Sequence, residues 1–317
     1  MKRNSSESLK KLLLSKKKWI VISHVKPDGD TLGSASALVQ MGISLGKDVL
    51  WWGRDPFPER YSFLPFSSLY SEKSSIVKED FFDDPLLISV DVSSVERGIK
   101  GMDLGELAVI DHHGDNPCFG SANWVDGSVS SVGEMIYDLF HLMEITLTKE
   151  IAESIYVAIV TDTGNLSFSN VTSHTVKAIA SLIDCGVEPH IILEKLYNRD
   201  TPERLRLWGR SFERLKWDRG ICYSYLLEKD FVDTGTDQDD TESLINSFMR
   251  IRDTEVALLF VEDKGEIKVS LRSKGQVSVQ QIAHLWGGGG HICASGCRVK
   301  GNIDEVISDV VKSIPLL

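Results

Sequence analysis

No stretch of the 317-residue chain approaches the ~20 consecutive apolar residues that a membrane-crossing helix needs. The basic stretch from Met1 to Lys18 holds only Leu12–Leu14 as an apolar segment. A secretory leader needs about 7–15 apolar residues and a small-residue cleavage site. Cysteine is sparse and odd in number: Cys118, Cys185, Cys222, Cys293 and Cys297, with no Cys-x-x-Cys. A paired disulfide framework is therefore not expected, and free thiols in a reducing compartment are. Positive charge is in deficit, with 35 Lys and Arg against 46 Asp and Glu, a formal net charge of −11. Nonspecific grip on long duplex nucleic acid, which depends on neutralising many phosphates, is excluded as a whole-chain function. A short nucleotide in a local pocket is not. The expectation is a cytoplasmic protein with no membrane partner.

What is present is alternation. Trp19–Ser23, Val49–Trp52, Leu86–Val90 and Leu107–Ile110 read as buried strands. Between and after them, 5–17, 33–46, 130–143 and 149–160 read as helices. Strands alternating with helices predict an α/β fold with a mostly parallel sheet. Residues 172–215 read as helical, broken by Pro189 and Pro202. From 218 the texture changes: Ile221–Leu227, Glu255–Val261 and Glu266–Leu271 are strand-like, and 240–250 and 303–313 are helical. Lys264-Gly265 is a hairpin signal. The predicted organisation is a catalytic domain at 1–187, a helical connector at 188–215 and a smaller α/β domain at 216–317.

Three apolar runs end in a polar group: His24, Asp91 and Asp111. Ligands of open parallel sheets bind beyond the carboxyl ends of the strands. Asp28 and Asp30, in a Pro-Asp-Gly-Asp turn, and Asp162, where the helical run at 149–160 ends, add to the same edge. One such aspartate only suggests a helix cap; four segments aimed at one edge suggest a site. Carboxylates so crowded repel one another and shift towards the neutral form unless cations relieve them. Mixed oxygen and imidazole donors suit manganese, magnesium, iron or zinc. One bridging aspartate would make a two-metal site, which clamps the attacking and leaving oxygens of displacement at phosphorus.

These segments resemble the DHH phosphoesterase family, whose Asp-His-His motif stands here as Asp111-His112-His113. The tail resembles the DHH-associated domain in Arg272-Ser273, in Gly288-Gly289-Gly290-His291 and in Ala294-Ser295-Gly296. The likeness spans nearly the whole chain and lies nearest the nanoRNase and pAp-phosphatase subgroup. It implies two divalent ions, Mn2+ first, with Mg2+ or Co2+ as alternatives. It implies His24, Asp28 and Asp91 on one ion, and Asp30, Asp91, His112 and Asp162 on the other. A hydroxide between the ions would attack phosphorus. His113 would contact the scissile phosphate or protonate the leaving oxygen, and Asp111 would orient a histidine. Arg272, Ser273, Gly288, Gly289, Gly290 and His291 would hold substrate. Ser130 and Ser131 either contact phosphate or merely cap a helix.

The implied reaction is manganese-dependent hydrolysis of very short oligonucleotides to mononucleotides, with 3′-phosphoadenosine 5′-phosphate as a side substrate. The alternatives are a cyclic di-AMP or linear dinucleotide phosphodiesterase and, from another class, a non-catalytic nucleotide-binding regulator. That last reading expects a lost metal ligand, and none is lost. Domain closure is expected, because metals and nucleotide grip fall on different domains. Family members often dimerise, so a homodimer stays open.

Overall fold

Apolar runs that end in a polar residue become the strands of one parallel sheet. The computed structural model describes residues 6–72, 84–98, 105–198 and 200–315. The chain divides into two units, Met1–Arg199 and Asp200–Leu317.

The first unit comprises α1 (Ser6–Ser15), β1 (Lys18–Ile22), α2 (Gly29–Ser44), β2 (Asp48–Gly53), β3 (Tyr70–Glu72), β4 (Leu86–Val90), α3 (Val95–Gly98), β5 (Leu107–Asp111), β6 (Ala122–Val125), α4 (Val132–Leu142), α5 (Lys149–Asp162), α6 (Ser173–Asp184) and α7 (Pro189–Tyr197). Its six strands run in the order β3-β2-β1-β4-β5-β6, every neighbouring pair parallel. The chain winds outward from β1 to β3, then returns to β4 on the other side of β1. That reversal opens a crevice beyond the carboxyl ends of β1 and β4, the usual ligand position in such sheets.

Alternate side chains of each strand go to opposite faces. Trp19, Val21 and Trp51 join a large core with residues of α1, α2, α4, α5 and α6. Ile20, Ile22, Trp52, Leu87 and Val109 form a second buried cluster on the other face. Both faces are buried, which is why these strands read as continuous apolar runs rather than as alternation.

The start of α2 differs from expectation. It begins at Gly29, not residue 33, because Asp28 caps it by accepting from the N–H groups of Asp30 (3.1 Å) and Thr31 (3.2 Å). The predicted turn is thus the first turn of a helix. Pro189 and the later Pro202 likewise begin helices instead of breaking one, since a first-turn proline has no N–H to lose.

The second unit comprises α8 (Pro202–Glu213), β7 (Lys216–Asp218), β8 (Ile221–Leu226), α9 (Glu228–Thr234), α10 (Leu244–Met249), β9 (Val256–Asp263), β10 (Glu266–Ser273), α11 (Val279–Leu285), β11 (Gly289–His291), β12 (Ala294–Lys300) and α12 (Ile303–Lys312). The stretch expected as a connector consists of α7, in the first unit, and α8, in the second. The sheet order is β11-β12-β10-β9-β8-β7, antiparallel except for β8 with β9. Val256, Leu258 and Phe260 of β9 pack with α11 and α12, while Ala257, Leu259 and Val261 pack with α8, α9 and α10. The β9–β10 turn has Lys264 at φ 52° and Gly265 at φ 82°, the two left-handed positions of a tight hairpin. All five cysteines are free. No helix among the described residues is long and apolar enough to cross a membrane.

Candidate active site

Glycines decide how closely three helices approach the sheet edge. A Cβ at Gly29 would lie 2.4 Å from the Thr161 side chain, and one at Gly33 would lie 2.4 Å from the Ser154 carbonyl oxygen. A Cβ at Gly133 would lie 2.5 Å from the Ala158 Cβ. The first turns of α2 and α4 therefore sit directly against α5. This close packing brings Asp30, on α2, near Asp162, the last residue of α5.

Asp30 is buried, and its carboxylate accepts from three donors. Val132 N–H donates to Oδ2 at 2.8 Å, Gly133 N–H to Oδ1 at 2.9 Å and Ser34 Oγ to Oδ1 at 3.2 Å. The N-terminus of α4 is thus directed at an aspartate of the chain itself. Burial, reinforced by Asp91, Asp162 and Asp28, still holds the Asp30 carboxyl well above the usual carboxylate range. Burial pushes Asp162 up to about 6, with His112 opposing and Asp91 and Asp28 adding to it.

Asp91 follows β4 with φ 58°, a left-handed conformation that aspartate tolerates better than most residues. Its Oδ2 lies 3.2 Å from His24 Nε2. Its Oδ1 lies 3.6 Å from His112 Nε2 and 3.6 Å from His113 Nδ1, and is buried without a hydrogen-bond partner among the described residues. The two oxygens of one carboxylate thus face different imidazoles.

His24 is buried, with Nδ1 2.8 Å from the Val25 carbonyl oxygen. A carbonyl only accepts, so Nδ1 carries hydrogen and Nε2 faces Asp91 and Asp28, the latter at 3.5 Å. Burial opposes a charge on this ring, yet Asp28 and Asp91 push its pKa up to about 10. His112 Nε2 stands 3.5 Å from Asp162 Oδ2 and 3.9 Å from Asp30 Oδ2.

Donor atoms of His24, Asp28 and Asp91 lie within 4.8 Å of one another, as do those of Asp30, His112 and Asp162. Asp91, His112 and His113 form a third such group that links them. The structure brings the six expected ligands together. Asp162 arrives from the end of a helix, as its position after the helical run at 149–160 implies. The unpartnered Asp91 oxygen and the crowded carboxylates fit a site for divalent cations.

His113 Nδ1 lies 2.7 Å from Asp111 Oδ1, and that hydrogen bond pushes its pKa up to about 9. Asp111 is fully buried and accepts from Asn116 Nδ2 on its other oxygen. Burial would raise the Asp111 carboxyl, but His113 and Asn116 hold it below the usual range. Asn116 also donates to the Val92 carbonyl at 3.0 Å, a tie between the strand ends that the sequence did not reveal.

Ser130 and Ser131 stand at the start of α4. Both are fully buried. Ser131 caps α4 by accepting from Glu134 N–H, and Ser130 Oγ donates to the buried Glu134 carboxylate at 2.5 Å. Capping is the role of Ser131 alone, while Ser130 holds the Glu134 carboxylate, and α4 directs two of its free N–H groups at Asp30. Thr175 Oγ1 holds the same Glu134 oxygen at 2.7 Å. Asn170, also unforeseen, donates to the carbonyls of Ser130 (2.9 Å) and Asp162 (3.1 Å).

In the second unit, Arg272, one residue before the end of β10, pairs with Ala294 of β12 and Ala257 of β9. Its guanidinium is half-buried, donates to the Leu271 carbonyl at 3.0 Å and has no carboxylate partner among the described residues. Burial lowers its pKa. Ser273 Oγ is buried without a hydrogen-bond partner among the described residues. The glycine run is no loose loop: Gly289 and Gly290 pair with Gly296 and Ser295. A Cβ at Gly288 would lie 2.2 Å from the Gly296 oxygen, and one at Gly290 would lie 2.5 Å from the Ala294 oxygen. These two glycines serve close strand contact, whereas a Cβ at Gly289 would meet only His284, at 3.8 Å. The side chain of His291 lies outside the described set.

Residues 18–159 match the DHH family, N-terminal domain, and residues 218–314 match the DHHA1 domain. The bifunctional oligoribonuclease and PAP phosphatase NrnA of Thermus thermophilus is 33% identical over 298 residues, covering 93% of this chain and 88% of that protein. The Bacillus subtilis protein of the same name is 30% identical over 307 residues, covering 92% and 93%. A solved structure of an exopolyphosphatase-related protein from Bacteroides fragilis aligns with a TM-score of 0.87 at 25% identity, covering 97% and 94% of the two chains.

Proposed function

The chain belongs to the DHH family of phosphoester hydrolases, and from that premise we propose that its substrates are very short oligonucleotides, cut to mononucleotides, with 3′-phosphoadenosine 5′-phosphate as a second substrate. The observation that carries the reading is Asp91, whose two oxygens serve two separate donor groups. The relatives' names supply the substrate class.

In this reading His24, Asp28 and Asp91 hold one divalent cation, and Asp30, Asp91, His112 and Asp162 hold the other. Manganese is the ion proposed. When bound, such a pair lowers the pKa of water and neutralises charge that develops on phosphate oxygens. The chain's own groups do the rest. Val25 fixes the His24 tautomer so that Nε2 is available as a donor. Val132 and Gly133 fix the Asp30 carboxylate. Asp111, pinned by Asn116, anchors His113 Nδ1 and leaves Nε2, on a partly exposed ring, to give a proton to the leaving oxygen. Arg272, desolvated and without a carboxylate, is suited to grip a phosphate bidentately. The complete donor set favours an enzyme over a non-catalytic nucleotide-binding regulator.

The test is hydrolysis by the purified chain with manganese, run side by side on a 5′-phosphorylated diribonucleotide, a long single strand, 3′-phosphoadenosine 5′-phosphate, cyclic di-AMP and pyrophosphate. The expected result is fast cleavage of the dinucleotide with little on the long strand. Preference for cyclic di-AMP would replace the substrate assignment, and silence on all five with metal bound would favour the regulator.

A further inference from the structure

Just past the end of α5, and lined by none of the donor residues, lies a solvent-open cavity of about 640 Å³. Gly164, Asn165, Ser167 and Phe168 form one side of it, and Leu193, Glu194, Tyr197 and Asn198 of α7 and its end form another. Its walls are referenced to the end of α5. Asn165 N–H donates to the Val160 carbonyl at 2.7 Å, and Tyr197 Oη reaches the same carbonyl at 3.5 Å. Phe168 N–H donates to the Thr163 carbonyl at 3.0 Å. The Gly164 Cα lies two residues from that of Asp162, so within about 7.6 Å.

The lining has two large aromatic side chains that the fold leaves about half open: Phe168 is 59% exposed and Tyr197 47% exposed. The Phe168 ring is nonetheless seated. A Cβ at Gly164, which has φ 54°, would lie 2.4 Å from it. The ring thus rests on bare backbone and leaves its far side open. The polar lining is amide, hydroxyl, imidazole and acid: Asn165, Asn198, Ser167, His190 and Glu194, with no lysine or arginine among the described residues that line it. A carboxylate without a strong cation is a poor surface for phosphate. Flat rings with amide and carboxylate groups around them are the surroundings that recognise a base by stacking and by its hydrogen-bonding edge.

We propose that this cavity holds a nucleobase flanking the scissile phosphate, stacked on Phe168 and Tyr197. The assignment rests on the phosphoesterase reading of the neighbouring centre, and it adds a specificity pocket that belongs to the first unit alone. Glu194 and the two asparagines would read the base edge, favouring bases with an exocyclic amino group.

The test is titration calorimetry of the manganese-loaded full chain with AMP and with ribose 5-phosphate, which differ only by the base. The wild-type chain is expected to bind AMP about tenfold or more tightly than ribose 5-phosphate, the range typical of one stacked base. Phe168→Ala should erase most of that preference, and Phe168→Tyr should keep it. Equal affinity for the two ligands in the wild-type chain overturns the proposal. So does an AMP preference that survives both Phe168→Ala and Tyr197→Ala. A preference that depends on Phe168 in a chain that never cleaves dinucleotides would leave the pocket standing and remove the substrate reading instead.

Discussion

One oxygen of Asp91 stands 3.2 Å from His24 Nε2, while its other oxygen, buried and without a donor, faces away towards His112. The residue also carries a left-handed backbone, so an alanine there would combine lost ligation with strain. Asn tolerates that conformation and removes only the charge. Asp91→Asn and Asp91→Ala should both lower turnover by on the order of 10³-fold or more, because the carboxylate serves both donor groups. Elemental analysis should find both metal positions depleted, while circular dichroism stays native. Near wild-type activity in either variant would refute the site.

Glycine-to-alanine changes inside helices ordinarily stabilise by up to ~1 kcal/mol. Gly209 in α8 has nothing within 4 Å of a built Cβ, so Gly209→Ala should follow that rule. Gly33→Ala should reverse it. Its Cβ would lie 2.4 Å from the Ser154 oxygen and 2.8 Å from the Ala158 nitrogen, both backbone atoms that cannot swing aside. Overpacking of this kind costs about 1–3 kcal/mol. Thermal melts of the two variants should move in opposite directions, and Gly33→Ala should also lose activity because it pushes Asp30 away from Asp162.

Asp230 is buried against Arg214, whose Nη2 donates to it at 2.8 Å, and it also accepts from Leu227 N–H at 2.7 Å. Burial alone would raise its carboxyl, but Arg214 and the Leu227 N–H hold it below the usual range. A depressed folded pKa contributes stability that is full above the unfolded value of about 3.9 and is lost as pH falls through the folded one. Asp230→Asn should therefore cost about 3 kcal/mol at neutral pH, the low end for a broken buried pair. That gap should shrink as pH falls below about 4. Denaturant melts across that range check it, and a gap constant with pH would show that the charge on Asp230 is not its source.

Arg272→Ala should weaken nucleotide binding by about 10- to 100-fold, the worth of charged hydrogen bonds at about 1.5–3 kcal/mol. Metal content should not change. Arg272→Lys should rescue only part, because a lysine cannot offer the planar fork. Loss of metal in either variant would overturn the assignment of grip and ligation to separate units.

Much of this was legible because strands buried on both faces are continuous in apolar residues, and such a run stops where a polar group is needed. His24, Asp91 and Asp111 stand at or just past those stops. Short or mixed segments were not legible. β6 reads Ala-Asn-Trp-Val, and its Asn123 is buried by bonding Gly120, a partner no periodicity reveals. The start of α2 was hidden because Gly29 and Asp30 are poor helix formers, and only the cap at Asp28 and the contact of Gly29 with Thr161 explain them. Gly288 and Gly290 carry the same lesson: a glycine run says that something comes close, not whether that something is a phosphate or a neighbouring strand.

The amide protons of Val132 and Gly133 end on the two oxygens of one buried carboxylate. Such charge-assisted donors lie downfield in a proton spectrum and exchange slowly with deuterium. Two resonances from a helix terminus thus form a built-in reporter of the state of Asp30, readable in solution without a probe or a substitution.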